Sequence, residues 1–167
     1  TSAALVSRMP QDDAAAALRH LRRDTLETVL EGMASNRADQ LRRLITHPPH
    51  TAAGLMNPEV IVVGSDATPD EIRERIRDVA PTLDALATVF VVDAQKELRA
   101  IPARHLLTDR FDTEPTPSVR WDASIESVIG EFAIHDILAL PVLDDAGDVI
   151  GAVAVDDVLE ELLAERL

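Results

Sequence analysis

The order strand, helix, strand, strand, helix is written twice in this chain, and that doubling constrains its fold more than any other feature. Val63-Gly64-Ser65-Asp66-Ala67-Thr68 opens one helical stretch, and Val119-Arg120-Trp121-Asp122-Ala123-Ser124 opens another 56 residues later. Each helix leads into an apolar strand ending in Asp: Val89-Phe90-Val91-Val92-Asp93 first, then Leu140-Pro141-Val142-Leu143-Asp144. A turn, a second apolar run and a short helix follow, Ile101 to Leu107 in one copy and Val153 to Leu159 in the other. A period of about 50 residues means two copies of one supersecondary unit. Such a unit has one apolar sheet face that it cannot bury alone. Two copies packed face to face would bury it in a shared core.

The first 46 residues carry a shorter period of 12, which aligns Val6, Leu18 and Leu30, and again Met9, Leu21, Met33 and Ile45. Within a repeat the apolar residues fall on one face of a two-turn helix, as in Leu26, Val29, Leu30 and Met33. Helices this short do not stand alone, so they must stack into a superhelical coil. Pro10 with Asp12 and Asp13 suits a helix start. Asp24 and Asn36 are the expected N-caps of the next two helices. His47-Pro48-Pro49-His50 ends the array, because two prolines block helix continuation. His47 and His50 read as a solvated loop, since a metal site would need a third ligand nearby in sequence.

Thr51 to Met56 should form a short helix, and Val60 to Val63 the first strand. A long helix over about 70–80 then turns Ile72, Ile76 and Val79 inward. Thr68 caps it and Glu71 answers at the capping-box spacing. Pro81 to Asp84 form the loop that follows. In the second copy Ser124 caps a helix with Ile125, Val128, Ile129 and Phe132 inward. Asp112 to Pro117 is the linker between the copies. Trp121 reads as a packed or dimer-contact residue.

Charge is uneven. Residues 1–50 carry seven Arg and six acids, whereas residues 51–167 carry nine Lys or Arg and 24 acids, a net of −15. This argues against a nucleic-acid partner. Surplus carboxylates either serve solubility or repel one another until divalent cations neutralise them. The chain has no Cys, which excludes disulfides and thiolate metal sites. No apolar run reaches the ~20 residues that span a bilayer, and no signal peptide is present. The chain opens at Thr1 in what reads as mid-helix, as an excised fragment would. No nucleophile with a nearby base and no phosphate loop is visible, so an enzyme is not expected.

Ala139-Leu140-Pro141-Val142-Leu143-Asp144-Asp145-Ala146-Gly147-Asp148-Val149-Ile150-Gly151, followed by Val155-Asp156-Asp157-Val158-Leu159, resembles the CBS domain. This is a β-α-β-β-α regulatory module found in tandem. Thr51-Ala52-Ala53-Gly54-Leu55-Met56, between a superhelix of short helices and such a pair, is similar to the cytosolic region of MgtE-type magnesium transporters. The resemblance implies an α+β chain. Residues 1–50 would be the C-terminal part of a helical N domain, 51–111 the first CBS repeat and 112–167 the second. It implies a non-catalytic Mg2+ sensor on the cytoplasmic side of the membrane. Metal would compact the module and close a transmembrane pore lying downstream in the same chain. A homodimer through the CBS helices is implied as well. The alternative is a CBS-domain regulatory protein without a pore, responsive to an adenine nucleotide.

Matched to that family, Asp136, Asp157 and Glu160 are the expected metal residues, with Asp156 beside them. Glu161, Asp144 and Asp145 are nearby acids without a specific match. Asp12 and Asp13 are the paired acids of the helical segment. That segment's near-neutral balance leaves a rival: its Arg residues would salt-bridge the acidic CBS face without metal. The nucleotide signature of CBS pairs, Gly-x-x-Ser/Thr-x-x-Asp, is broken in both copies. In Gly151 to Asp157 the carboxylate survives as Asp157 but the hydroxyl has become Ala154. In Arg99 to His105 the Gly, hydroxyl and Asp are all gone, leaving Arg99 or Arg104 as the residues that could meet a phosphate.

Overall fold

The computed structural model describes residues 2–79, 88–106 and 111–164. Four helices come first: α1 Ser2–Val6, α2 Gln11–Arg19, α3 Arg23–Glu31 and α4 Ser35–Thr46. The last three start 12 residues apart, as the periodicity requires. Their buried faces carry Ala14, Leu18, Leu30, Ala38, Leu41 and Leu44. The caps differ from expectation. Arg22 and Ala34 are the N-cap residues, and neither makes a side-chain cap. Asp24 and Asn36 sit one position inside the first turn. Their side-chain oxygens accept the amides of Thr25 and Arg37. Extended backbone at Arg22 and Ala34 starts each helix early, and in α3 the acid Asp24 in the first turn still suits the helix dipole.

The short helix α5 Ala52–Leu55 follows, capped by the Thr51 hydroxyl, which accepts the Gly54 amide. Repeat one then runs β1 Ile61–Gly64, α6 Pro69–Val79, β2 Thr88–Val92, β3 Leu98–Pro102 and α7 Ala103–Leu106. Repeat two runs β5 Val119–Arg120, α8 Ile125–Ile134, β6 Ala139–Leu143, β7 Val149–Ala154 and α9 Val155–Ala164. In each copy the first strand pairs parallel with the second and the second antiparallel with the third. Ile101 and Val153 lie in strands, so each closing helix starts two residues after the expected point. The capping box holds: the Glu71 carboxylate accepts the Thr68 amide at 2.7 Å, and the Thr68 hydroxyl accepts the Glu71 amide at 3.3 Å. Ser124 caps α8 one way, its hydroxyl accepting the Ser127 amide at 3.3 Å. The Pro81–Asp84 loop and Leu107 lie outside the described residues.

The Asp closing each middle strand is a turn residue. Asp93 accepts the amides of Gln95 and Glu97, and Asp144 those of Ala146 and Asp148. Each turn has one left-handed residue, Lys96 at φ 62° and Gly147 at φ 81°. Lys96 reaches across to the Ala146 carbonyl and the Asp148 carboxylate, linking the two turns.

The repeats exchange their leading segments. Thr51 and Asn57 bridge to Ser124 and Ala152 of repeat two, and the amides of Ala52 and Ala53 donate to the Ala123 and Trp121 carbonyls. In return the linker forms β4 Glu114–Pro115, which pairs with β3 of repeat one. The linker is therefore partly strand.

A single shared core between the sheets is not what forms. Side chains alternate along each strand, so each sheet has two faces. Val89, Val91 and Ile101 pack on Ile72 of α6. Leu140, Val142 and Val153 pack on Val128 and Val158, in a core continuous through Ala52, Ala53 and Met56 with Leu18, Leu30 and Leu41 of the helical segment. The sheets' other faces meet, among the described residues, through buried Phe90, Ala100 and Ala152 with partly buried Val60, Val62, Leu98, Ala139 and Val149 around them. Small alanines fill little of that space, and clefts open beside them.

Candidate functional site

The larger of the two clefts beside these alanines, about 500 Å³, lies where the start of α2 meets the start of α9. A cavity of about 580 Å³ shares its Asp12, Asp13, Asp157 and Glu160 and adds Arg19, His20 and His50. Pro10 ends the preceding loop in extended backbone (ψ 156°) and places Asp12 and Asp13 in the first turn of α2. Chain direction does the same for α9, whose first turn holds Asp156 and Asp157. Carboxylates suit helix N-termini. Here, however, two such turns line one cleft, and Glu160 joins them one turn along α9.

The electrostatics are unfavourable by design of the fold. Burial pushes the Asp157 carboxyl up to about 7, and the charge of Asp12 pushes in the same direction. Asp156 and Asp13 add to this, while the Ala154 amide, donating to Asp157 at 3.1 Å, opposes it. Asp12 is also raised, by burial first and then by Asp13 and Asp156. Its buried Oδ1 has no hydrogen-bond partner. Among the described residues, none of Asp12, Asp13, Asp156, Asp157 and Glu160 forms an ion pair.

Arg19 lies within electrostatic reach of Glu161 on α9 and lines a cavity with Asp12, Asp13, Asp157 and Glu160. Arg19 donates to the Gly54 and Leu44 carbonyls, and Arg42 pairs with Glu27 and Asp39 inside the segment. The ion pair that crosses to α9 comes from His50, whose Nδ1 lies 2.9 Å from Glu161. His50 is therefore a bridging residue rather than simply a solvated one. His47 is half-buried beside Trp121, and burial with the nearby Arg19 charge lowers its pKa. Trp121 packs on the core and donates its indole N–H to Asp145, which also pairs with Arg120.

Of the acids expected from sequence, Asp156, Asp157 and Glu160 come together, and Asp12 and Asp13 join them. Asp136 does not: it lines a smaller, adjoining cleft of about 140 Å³ with Arg104 and Glu114, which meets the first at Thr88, Leu138 and Ala139. Asp144 is committed to its turn. Glu59 was not foreseen. It lines the larger cleft and accepts a 2.7 Å hydrogen bond from the fully buried Gln11. The Asn57 side chain accepts the Glu59 amide, and that Asx turn was the available signal.

This donor set is all oxygen, which suits a hard divalent cation. Among the described residues no three His, Asp or Glu groups converge closely enough to ligate one ion directly. A cation held here would keep much of its water and take one or two carboxylates, as Mg2+ does.

Two β-α-β-β-α units that trade leading segments and hold clefts between them define a tandem regulatory module of the CBS class. The CBS domain family model matches residues 112–164. The magnesium transporter MgtE of Thermus thermophilus is 30% identical over 171 residues, covering 92% of this chain and 37% of that protein. The MgtE of Enterococcus faecalis is 26% identical over 134 residues, covering 75% of this chain and 30% of that protein. The solved cytosolic domain of the Mg2+ channel MgtE in complex with ATP superposes with a TM-score of 0.85 at 26% identity, covering 96% of this chain and 69% of that one. This chain belongs to the MgtE magnesium transporter family, as a homologue of its cytosolic region. It spans about a third of the length of the transporters it matches. No helix among the described residues is long and apolar enough to cross a membrane.

Proposed function

We propose that this chain is a non-catalytic Mg2+-sensing region that governs ion flux through a pore carried by the same polypeptide. One observation carries the reading: half-buried carboxylates of α2 and α9 face one cleft and, among the described residues, form no ion pair. In the metal-free state their repulsion works against the docking of the helical segment on repeat two. A divalent cation between them removes that repulsion and favours the compact arrangement, so metal affinity differs between two arrangements and shifts their populations. Asp157 and Asp12 are the residues nearest that role, with Asp13, Asp156 and Glu160 around them. Asp136, on the smaller cleft, would belong to a second site.

The test is thermal unfolding of metal-stripped protein under MgCl2 titration, with NaCl matched for ionic strength. Mg2+ at millimolar levels should raise Tm beyond the salt control, and Asp157→Asn should remove most of that difference. Equal effects of Mg2+ and NaCl in the parent protein would reduce the acidic face to ordinary surface charge.

The chain is also proposed to act as a homodimer. Neighbouring helices α8 and α9 leave Ile134, Leu159 and Leu163 exposed, with Leu138 just beyond α8. Control by adenine nucleotide is the second reading, raised by the ATP held in one relative. The loss of the signature hydroxyl at Ala154, and of Gly, hydroxyl and Asp in Arg99 to His105, weighs against it.

A further inference from the structure

We infer that Arg19 is a positioning residue for the docked state, a tethered cation that holds the helical coil against the CBS pair when metal is absent. The chain places it where local structure leaves acceptors open. Leu44 lies in the last turn of α4, and the residue four positions on, whose amide would continue the helix, is Pro48. Gly54 lies in α5, and its counterpart four positions on is Pro58. Proline has no amide to donate. Arg19 is the last residue of α2. Its guanidinium donates to the Gly54 carbonyl at 3.0 Å and to the Leu44 carbonyl, which also accepts the His47 amide, at 2.9 Å. One side chain thus ties α2, α4 and α5 together. The segment of α5 is bound in turn to repeat two through the amides of Ala52 and Ala53. A guanidinium suits this place because it stays charged and donates in several directions at once.

Its charge matters as much as its donors. Arg19 lines the 580 Å³ cavity with Asp12, Asp13, Asp157, Glu160 and Glu161. Burial lowers the Arg19 pKa, and the Glu161 carboxylate of α9 acts the other way, favouring the charged guanidinium. The Arg19 Nε is buried with no hydrogen-bond partner, so further compensation for its charge comes across the cavity. His50 meets the same Glu161 at 2.9 Å. The charges that act on Asp12 and Asp157 are instead those of other acids. The two sides of the contact between α2 and α9 are therefore built differently. The Glu161 side carries cations that belong to the chain. Among the described residues, the 500 Å³ cleft is lined by six carboxylates and by no Lys, Arg or His. Loss of metal would loosen the cleft and leave the Arg19 side closed.

The inference rests on the metal-driven docking proposed above, and hydrogen exchange separates the two. The readout is exchange at the Ala52 and Ala53 amides, whose bonds cross to repeat two. In EDTA at neutral pH, Arg19→Gln should speed this exchange at least about tenfold. Arg19→Lys keeps the charge and should recover most of the protection. Parent-like exchange in Arg19→Gln, or an equal loss in Arg19→Lys, would overturn the inference, because charge would then not be what holds the coil. A second arm stays readable if Arg19→Gln does not fold. In a His50→Gln background, which removes the other cation from Glu161, Glu161→Gln leaves the carbonyl bonds of Arg19 in place. It should speed exchange several-fold at about 0.05 M NaCl and little at about 1 M, where screening acts within ~3 Å. No effect at low salt would also overturn the inference. Mg2+ added to the parent and to Arg19→Gln tests the other reading. If neither responds while the difference in EDTA stands, metal sensing fails and the role of Arg19 holds.

Discussion

Asp157 stands under two opposing demands. Its backbone partner, the Ala154 amide, favours the carboxylate, while burial and the neighbouring acids favour the neutral acid and prevail. The sign for stability follows. The folded value near 7 lies above the ordinary value of 3.8, so between these limits the folded state binds more protons than the unfolded one. The stabilisation is fully present below about pH 4 and is lost as pH rises through 7. For a half-buried group, after allowance for solvent screening, this amounts to on the order of 1–2 kcal/mol. In EDTA, Asp157→Asn should therefore leave stability little changed at pH 5 and raise it at pH 8. Denaturant unfolding at the two pH values measures this, and an equal effect at both would mean that Asp157 is not under charge strain. The Asn side chain can still accept the Ala154 amide, so the cap is retained. Sequence placed Asp157, Asp156 and Glu160 on one helix. It could not show that Asp12 would face them half-buried, because that depends on how a helical coil docks on a distant repeat.

Among the elements, the segment from Thr51 to Asn57 couples the parts of the molecule. It follows the helical coil in sequence, yet its hydrogen bonds go to repeat two, and its Ala52, Ala53 and Met56 complete a core shared by both. Gly151 in β7 makes this possible. A Cβ there would lie 2.7 Å from the Met56 sulfur and 2.8 Å from the Asn57 carbonyl. Methionine can move, but the carbonyl is held, since Asn57 exchanges backbone hydrogen bonds with Ala152. Gly151→Ala should cost about 1–3 kcal/mol. It should also speed proteolysis near Pro48 and Pro49, as the segment detaches from β7. Parent-like unfolding and cleavage would show that the close approach is not needed. The short-helix period, the capping box at Thr68 and the cap at Ser124 were legible because local backbone chemistry decides them. The strand at Glu114–Pro115 was not, because a two-residue strand exists only through its partner β3.

For the whole molecule, the balance of −14 makes every association depend on ions. If the exposed leucines of α9 pack on a second copy, light scattering after size exclusion should give a dimer. Leu159→Asp/Leu163→Asp should then give a monomer with unchanged far-UV circular dichroism. A monomeric parent at tens of micromolar would remove the dimer from the proposed function. The apolar pattern of these helices was readable, but the same pattern serves an internal core or an external partner, and only exposure distinguishes them.

Sequence by itself determined the doubled unit, the 12-residue coil, the all-oxygen donor set and the uneven charge. These follow from local periodicity and composition. Tertiary structure alone decided the exchange of leading segments and the two cleft volumes. It also separated Asp136 from Asp157 and brought α2 and α9 together around one acidic cleft. The physical reason is that burial and like-charge repulsion depend on distances between residues some 145 positions apart, and no local pattern encodes such a distance.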